Sequence, residues 1–340
     1  MTFRAMAGSG MLSFATIVYS KDYPLLELQA RSMARFLDPA EVASISIIMN
    51  EVDEPALRRN LSDILPYYGP LASHVRIVGG DDILLPANIR TSPRALERAY
   101  VDYRYRIPAV RRQGWRGNNG YRMQQALKLA SARCAGSDRI VLLDAKNVFL
   151  RPLSESDFFS SDGKGRIQFL KPELVFHRNW LSQSLLAFVV GCDVDDVSET
   201  TTFVTPYPVK REVLLGVLDE IDNRFGSVQA LFASKRRPSE FMLINACCIK
   251  HHGGPEADFE KAHPVNIGLW PEYDEAKVRA ELNRLKDPEA LSLGVHNRVV
   301  SQLGAAHLDH LLEALEDRGI CTKSQARDVF QRIGAVARRQ

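Results

Sequence analysis

Apolar and polar positions along the chain set a β-then-α rhythm from residue 12 onward. Leu12–Tyr19 (LSFATIVY) is an apolar run of strand length, and the loop Ser20-Lys-Asp-Tyr-Pro24 introduces Leu25–Phe36, whose apolar residues recur at helical spacing. Val42–Met49 (VASISIIM) repeats the strand signature and ends at Asn50-Glu51. Pro55–Leu65 repeats the helical one, and His74–Val78 predicts a third short strand running into Gly79-Gly80-Asp81-Asp82. From Tyr121 a helix-period segment runs to a break at Gly136-Ser-Asp. Arg139–Leu143 then reads as a buried strand ending on a carboxylate, Asp144.

Farther on the pattern predicts a strand at Arg166–Leu170, an apolar helix or strand pair around Trp180–Val190, an amphipathic helix over Pro208–Arg224 and a further segment at Val228–Ser234. A helix starts at Pro238, with Ser239 as N-cap and Glu240 in the first turn, where the helix dipole favours its charged form. Val265–Trp270 and Ala290–His296 read as late strands, and His307–Gly319 and Lys323–Arg338 as polar-faced helices.

Strands alternating with helices imply an α/β fold, a doubly wound, mostly parallel sheet flanked by helices and followed here by a helical C-terminal tail. In such sheets the side chains at the carboxyl ends of the strands project into the crevice where ligands bind, so Asp144, Lys146 and Asn147 are the first candidates for chemistry. Tyr19, Ser20 and Asp22 follow the first strand, and Asp81 and Asp82 the third. No GxGxxG follows the first strand and no GxxxxGKS/T occurs, so the phosphate cradles of dinucleotide and P-loop sites are absent from the sequence.

Composition narrows the class further. The chain has 340 residues, 45% hydrophobic and 25% charged, enough for a sizeable core. A net charge of +3 is too small to imply nucleic acid as a partner. Basic residues matter where they cluster: Arg104, Arg106, Arg111, Arg112, Arg116 and Arg122 lie among Tyr103, Tyr105, Trp115 and Tyr121. That mixture suits phosphates and ring stacking, and equally a solvated arginine-rich face. The five cysteines show no CxxC pair or metal-ligand spacing, which points to a reducing, cytoplasmic setting. The acidic stretch Cys192–Thr202 lacks the glycine turn of a calcium loop and reads as surface. No apolar run approaches the roughly 20 residues of a membrane-spanning helix, so membrane contact is expected to be peripheral at most, at the inner membrane face.

Several short motifs stand in a telling order: QQxxKL (Gln124–Leu129), LLDxxNVFLRP (Leu142–Pro152), TPYPV (Thr205–Val209), PSEF (Pro238–Phe241) and GVH (Gly294–His296). Together with the β-α start they resemble GT-A-type glycosyltransferases, nearest to a little-characterised bacterial, polysaccharide-associated group, over Leu12 to Arg298. Residues 1–10 are small and polar and read as a frayed segment; the resemblance implies a catalytic domain over 11–300 (nucleotide-binding half 11–152, acceptor half 153–300), followed by a helical extension over 301–340. It also implies transfer of a sugar from a nucleotide-diphosphate donor to a hydroxyl of a glycan or lipid-linked glycan. Tyr19, Ser20, Asp22 and Asp82 would lie toward the nucleoside, and Arg122, Gln125, Lys128, Lys146 and Asn147 toward the rest of the donor. Glu240 would be the base that takes the acceptor's proton, although its position also suits an ordinary helix-capping glutamate.

The family's Asp-x-Asp stands here as Asp144-Ala145-Lys146. An ammonium cannot ligate a hard cation. Either Mn²⁺ or Mg²⁺ is held by Asp144 with His296 and a water, or Lys146, helped by arginines such as Arg122 or Arg151, neutralises the leaving diphosphate as a fixed positive charge. A non-catalytic nucleotide- or glycan-binding descendant with a degenerate motif is the alternative function.

Overall fold

Seven consecutive residues with buried side chains form β1, Leu12–Val18, the central strand of the molecule. Burial on both faces is what a near-continuous apolar strand in a parallel sheet requires. Phe14 and Val18 enter one hydrophobic cluster, Ala15 and Ile17 another. The computed structural model describes residues 11–51, 54–84, 120–233 and 238–338. The segment 1–10 and the arginines and aromatics of 103–116 lie outside the described residues.

In chain order the first half comprises β1, α1 (Tyr23–Phe36), β2 (Val42–Met49), α2 (Glu54–Ser62), β3 (Val75–Gly79), the short α3 (Gly80–Leu84), α4 (Gly120–Ala130), β4 (Arg139–Asp144) and β5 (Asn147–Phe149). The second half runs β6 (Gly165–Ile167), β7 (Phe169–Leu170), α5 (Val175–Phe188), β8 (Thr200–Thr201), β9 (Tyr207–Lys210), α6 (Arg211–Phe225), α7 (Val228–Ala233), α8 (Glu240–His252) and β10 (Phe259–Lys261). It closes with β11 (Val265–Leu269), α9 (Glu275–Asn283), β12 (Ala290–Val295), α10 (Asn297–Val300), α11 (Ala305–Asp317) and α12 (Lys323–Arg338).

The main sheet has the order β3-β2-β1-β4-β9, parallel except for β9. Its register places Ile17 opposite both Ile48 and Asp144, so the ends of β1, β2 and β4 open at one edge. Gly80 lets β3 turn straight into α3, because a Cβ there would stand 2.6 Å from the Met49 carbonyl oxygen. A second sheet, β11-β12-β5, lies beyond that edge, with Gly294 opposite Asn147. Between β4 and β5 the chain crosses from one sheet to the other in only two residues, Ala145 and Lys146.

Two stretches differ from the sequence expectation, and a third takes one of its two expected forms. Pro208–Arg224 is not one helix: Tyr207–Lys210 pairs antiparallel with β4 and the helix begins at Arg211. Tyr207 and Val209 alternate inward, and proline is tolerated because β9 is an edge strand. Arg166–Leu170 splits at exposed Gln168 into two short strands with different partners, β10 and β8. The apolar stretch around Trp180–Val190 is a single helix from Val175, ended by Val189 at φ 51°.

The tail helices pack rather than dangle. Leu311, Leu312, Val329, Phe330 and Ile333 share one cluster with Leu25 and Leu28 of α1 and with Leu293 and Val295 of β12. Arg332 forms an ion pair with Glu27 of α1.

Candidate active site at the end of the central strands

Asp144 is the last residue of β4, and its position is set from below. The Gln29 amide, on α1, donates to the carbonyl oxygens of Asp144 (2.8 Å) and Asn147 (3.1 Å), while Thr16 of β1 donates to Gln29 Oε1 at 2.8 Å. Asn147 Oδ1 accepts from the Asp144 N–H (2.8 Å) and its Nδ2 donates to the Thr205 carbonyl (3.2 Å). Asn147 therefore braces the two-residue crossing with both ends of its amide and turns neither toward the crevice.

The carboxylate of Asp144 meets four donors. Oδ1 accepts from Lys128 Nζ (2.9 Å) and Gln124 Nε2 (2.7 Å), and Oδ2 from Lys146 Nζ (2.9 Å) and Thr205 Oγ1 (3.1 Å). Gln124 and Lys128 stand four residues apart on α4 and so share a face. Lys128 continues to Glu240 Oε1 at 3.1 Å, joining β4, α4 and the first turn of α8 in one buried network. The Phe241 ring lies 5.0 Å from the same ammonium.

Burial alone would raise the pKa of Asp144, but the Lys128 and Lys146 charges overcome it and hold the carboxyl well below the usual carboxylate range. Burial likewise works to lower the pKa of Lys128, and the Asp144 and Glu240 carboxylates reverse that, so the ammonium is kept charged. Two cations and two anions thus balance. Lys146 rests 4.5 Å from the Trp270 ring centroid, a cation–π contact that sets the ammonium at the seam of the two sheets.

A carboxylate offers about four lone-pair sites, and at Asp144 all four directions are taken by protein donors. His296 is the N-cap of α10, and its Nδ1 accepts the Arg298 N–H at 3.2 Å. Burial, then the charge of Lys146, lowers its pKa. A divalent ion at Asp144 and His296 would have to evict both lysines from the one and a backbone donor from the other, so the residues present do not fit Mn²⁺ or Mg²⁺ there.

The other residues singled out in the sequence divide. Asp22 is the N-cap of α1 but makes no capping bond; its Oδ1 accepts from Asn297 Nδ2 at 2.7 Å, and burial raises its pKa with a contribution from Asp144. That places it beside the network, while Tyr19 and Ser20 stand on the loop before it. Asp81 and Asp82 lie in the first turn of α3. Arg122 donates to the Phe232 carbonyl at 2.9 Å, tying α4 to α7. Gln125 is buried, with Oε1 lacking a partner among the described residues, and it is Gln124 that reaches Asp144. Ser239 occupies the N-cap position of α8 without a capping bond; its hydroxyl donates to Glu240 Oε2 at 3.3 Å instead. Sequence reading passed over Gln29, Thr205 and Trp270. Of these only Thr205 carried a signal, as the first residue of the TPYPV motif.

A five-stranded, mostly parallel sheet of order 3-2-1-4-9, with a smaller mixed sheet joined to it through the two residues after the strand-end aspartate, is the helix-flanked α/β architecture that the sequence implied. No protein-family model and no curated protein sequence matches the chain. Three of the solved structures it is similar to are glycosyltransferases. The bifunctional glycosyltransferase WbbM has 10% identity and a TM-score of 0.46; the similarity covers 96% of this chain and 52% of WbbM, so the chain spans about half that protein's length. The galactosyltransferase LgtC, solved in complex with donor and acceptor sugar analogues, has 10% identity over 94% of this chain and 95% of its own, with a TM-score of 0.40. Mouse xyloside xylosyltransferase 1 has 11% identity over 79% of this chain and 92% of its own, with a TM-score of 0.36. Among the described residues no helix is long and apolar enough to cross a membrane.

Proposed function

We propose that the chain is a glycosyltransferase that moves a sugar from a nucleotide-diphosphate donor to an acceptor hydroxyl of a glycan or lipid-linked glycan, with Lys146 in place of a divalent cation at the diphosphate. The observation that carries this reading is the Asp144–Lys146 pair at the carboxyl end of β4, with the ammonium held at the seam between the sheets. As the acceptor oxygen bonds to the anomeric carbon, the bond from that carbon to the diphosphate breaks and negative charge grows on the leaving oxygen. A positive charge already positioned there stabilises the transition state more than the ground state. Asp144 fixes Lys146, and Asp22, Tyr19 and Ser20 lie on the side where the nucleoside would sit. Glu240 is the group for the acceptor's proton, with Lys128 holding its carboxylate in place.

Donor consumption, followed for a panel of nucleotide-sugars with and without chelator, tests the reading. Turnover is expected to survive the chelator, and Lys146→Met is expected to lower kcat by about 10²–10³-fold, the loss seen when one donor to a developing oxyanion is removed. Activity abolished by chelator and restored by Mn²⁺ would sink the role of Lys146. One observation favours the non-catalytic alternative: Glu240 is almost wholly buried and already bound by Lys128 and Ser239. Under that alternative a nucleotide-sugar raises the melting temperature, yet neither wild type nor Glu240→Gln turns it over with any acceptor.

A further inference from the structure

At the opposite end of α8 from Glu240, Cys248, His252 and Asp258 converge, each offering one ligand atom, and these atoms lie within 4.8 Å of one another. Cys248 and His252 are four residues apart on α8 and therefore share a face. Asp258 arrives from the turn that follows the helix, where its N–H is fixed by the Pro255 carbonyl at 3.1 Å. His252 Nδ1 already lies 2.5 Å from Asp258 Oδ2, and Lys210 Nζ stands 3.7 Å from the other oxygen. The Cys248 thiol and the Asp258 carboxylate are buried, while the His252 ring is half exposed. All three line a cavity of about 680 Å³ that also receives Glu220, Cys247 and His251.

We propose that Cys248, His252 and Asp258 form a Zn²⁺ site, with the fourth position open to this cavity. The donor set argues for the metal: one sulfur, one imidazole nitrogen and one carboxylate oxygen suit borderline-soft Zn²⁺ and not the hard cations Mg²⁺ or Ca²⁺, which take oxygen alone. Ligands at about 2.0–2.3 Å from a tetrahedral zinc lie roughly 3.4–3.8 Å apart. The three atoms converge within 4.8 Å, and to take up that spacing His252 would exchange its 2.5 Å contact with Asp258 for the metal. Lys210 holds the far carboxylate oxygen, the outer contact that orients a ligating acid. On binding, the Cys248 proton leaves to solvent and the thiolate becomes the ligand.

At 1.5 Å per residue, Cys248 and His252 stand roughly 12–18 Å along α8 from Glu240. The metal would therefore act as a clip joining the end of α8 to the turn before β10, apart from the chemistry proposed at Asp144.

Co²⁺ titration of chelator-stripped, full-length protein tests this, because a Co²⁺–thiolate bond has its own near-ultraviolet charge-transfer absorption. We expect one equivalent to bind with that band and to be displaced by Zn²⁺. The band disappears in Cys248→Ser, affinity falls more than about tenfold in His252→Gln, and Cys247→Ser behaves as wild type. As a second readout, on the exposed position that does not threaten folding, Zn²⁺ raises the melting temperature of wild type and Cys247→Ser but not of His252→Gln. No thiolate band in the wild type, a band that persists in Cys248→Ser, or equal zinc stabilisation of His252→Gln would each overturn the site.

Discussion

Asp144 illustrates how one side chain's meaning depends on its neighbours. Both its oxygens are spoken for, and the ammonium of Lys128 is shared with Glu240 in a setting where neither lysine nor acid has free access to water. Such a network is costly to break from one side, since the partners left behind stay charged and buried. Lys128→Met is therefore expected to lower stability by about 3–5 kcal/mol, read from denaturant unfolding with an unchanged m-value. His296 sets a pH dependence of the opposite kind. Burial, followed by Lys146 and Arg298, holds its pKa below the ordinary 6.5, so the folded chain binds that proton less readily than the unfolded one. Its contribution is whole above the unfolded pKa and is lost as pH falls through the folded value. In His296→Gln that loss should vanish, so the variant gains on wild type as pH drops from neutrality toward 5, a trend that pH-resolved unfolding curves would reveal or refute.

Elements are placed by their ends as much as by their faces. Helix α6 stops at Gly226, which has φ 76° and a backbone N–H bonded to the Asp222 carbonyl. A Cβ added there meets nothing within 4 Å, so the penalty of Gly226→Ala is purely that of a left-handed backbone. We expect a loss of about 1–2 kcal/mol with no change in activity, measured by thermal or urea unfolding. The same logic explains why β9 escaped detection. A four-residue edge strand with two inward positions has too little pattern to stand out from the amphipathic helix that follows it, and only pairing with β4 reveals it.

Across the whole molecule, the tail helices complete a core that the small sheet cannot close alone. Val329, Phe330 and Ile333 press on the cluster shared by α1 and β12, the elements that carry Gln29 and lead into His296. Phe330→Ala should cost about 3–5 kcal/mol through the cavity it leaves. If the tail belongs to the same cooperative unit, far-ultraviolet circular dichroism and the chain's tryptophan fluorescence will report one coincident transition. Helix signal lost well before tryptophan fluorescence would show the tail unfolding independently.

Periodicity and burial demand were enough to read the alternating strands and helices, the buried run of β4 and its terminal carboxylate from the sequence alone, because those signals are local: apolar spacing over a few residues decides them. The ladder order, the two-residue passage from one sheet to the other, and the choice of Gln124 over Gln125 were decided only by tertiary structure. So were the partners of Asp144, which come from α4, from the turn after β4 and from Thr205, and the meeting of Cys248, His252 and Asp258 around the end of α8. Asp144-Ala-Lys in the sequence shows a lysine two residues after the strand-end acid. That Lys146 and Lys128 saturate that acid follows only once burial brings distant charges together, because in a dry interior a charge persists only where partners converge on it.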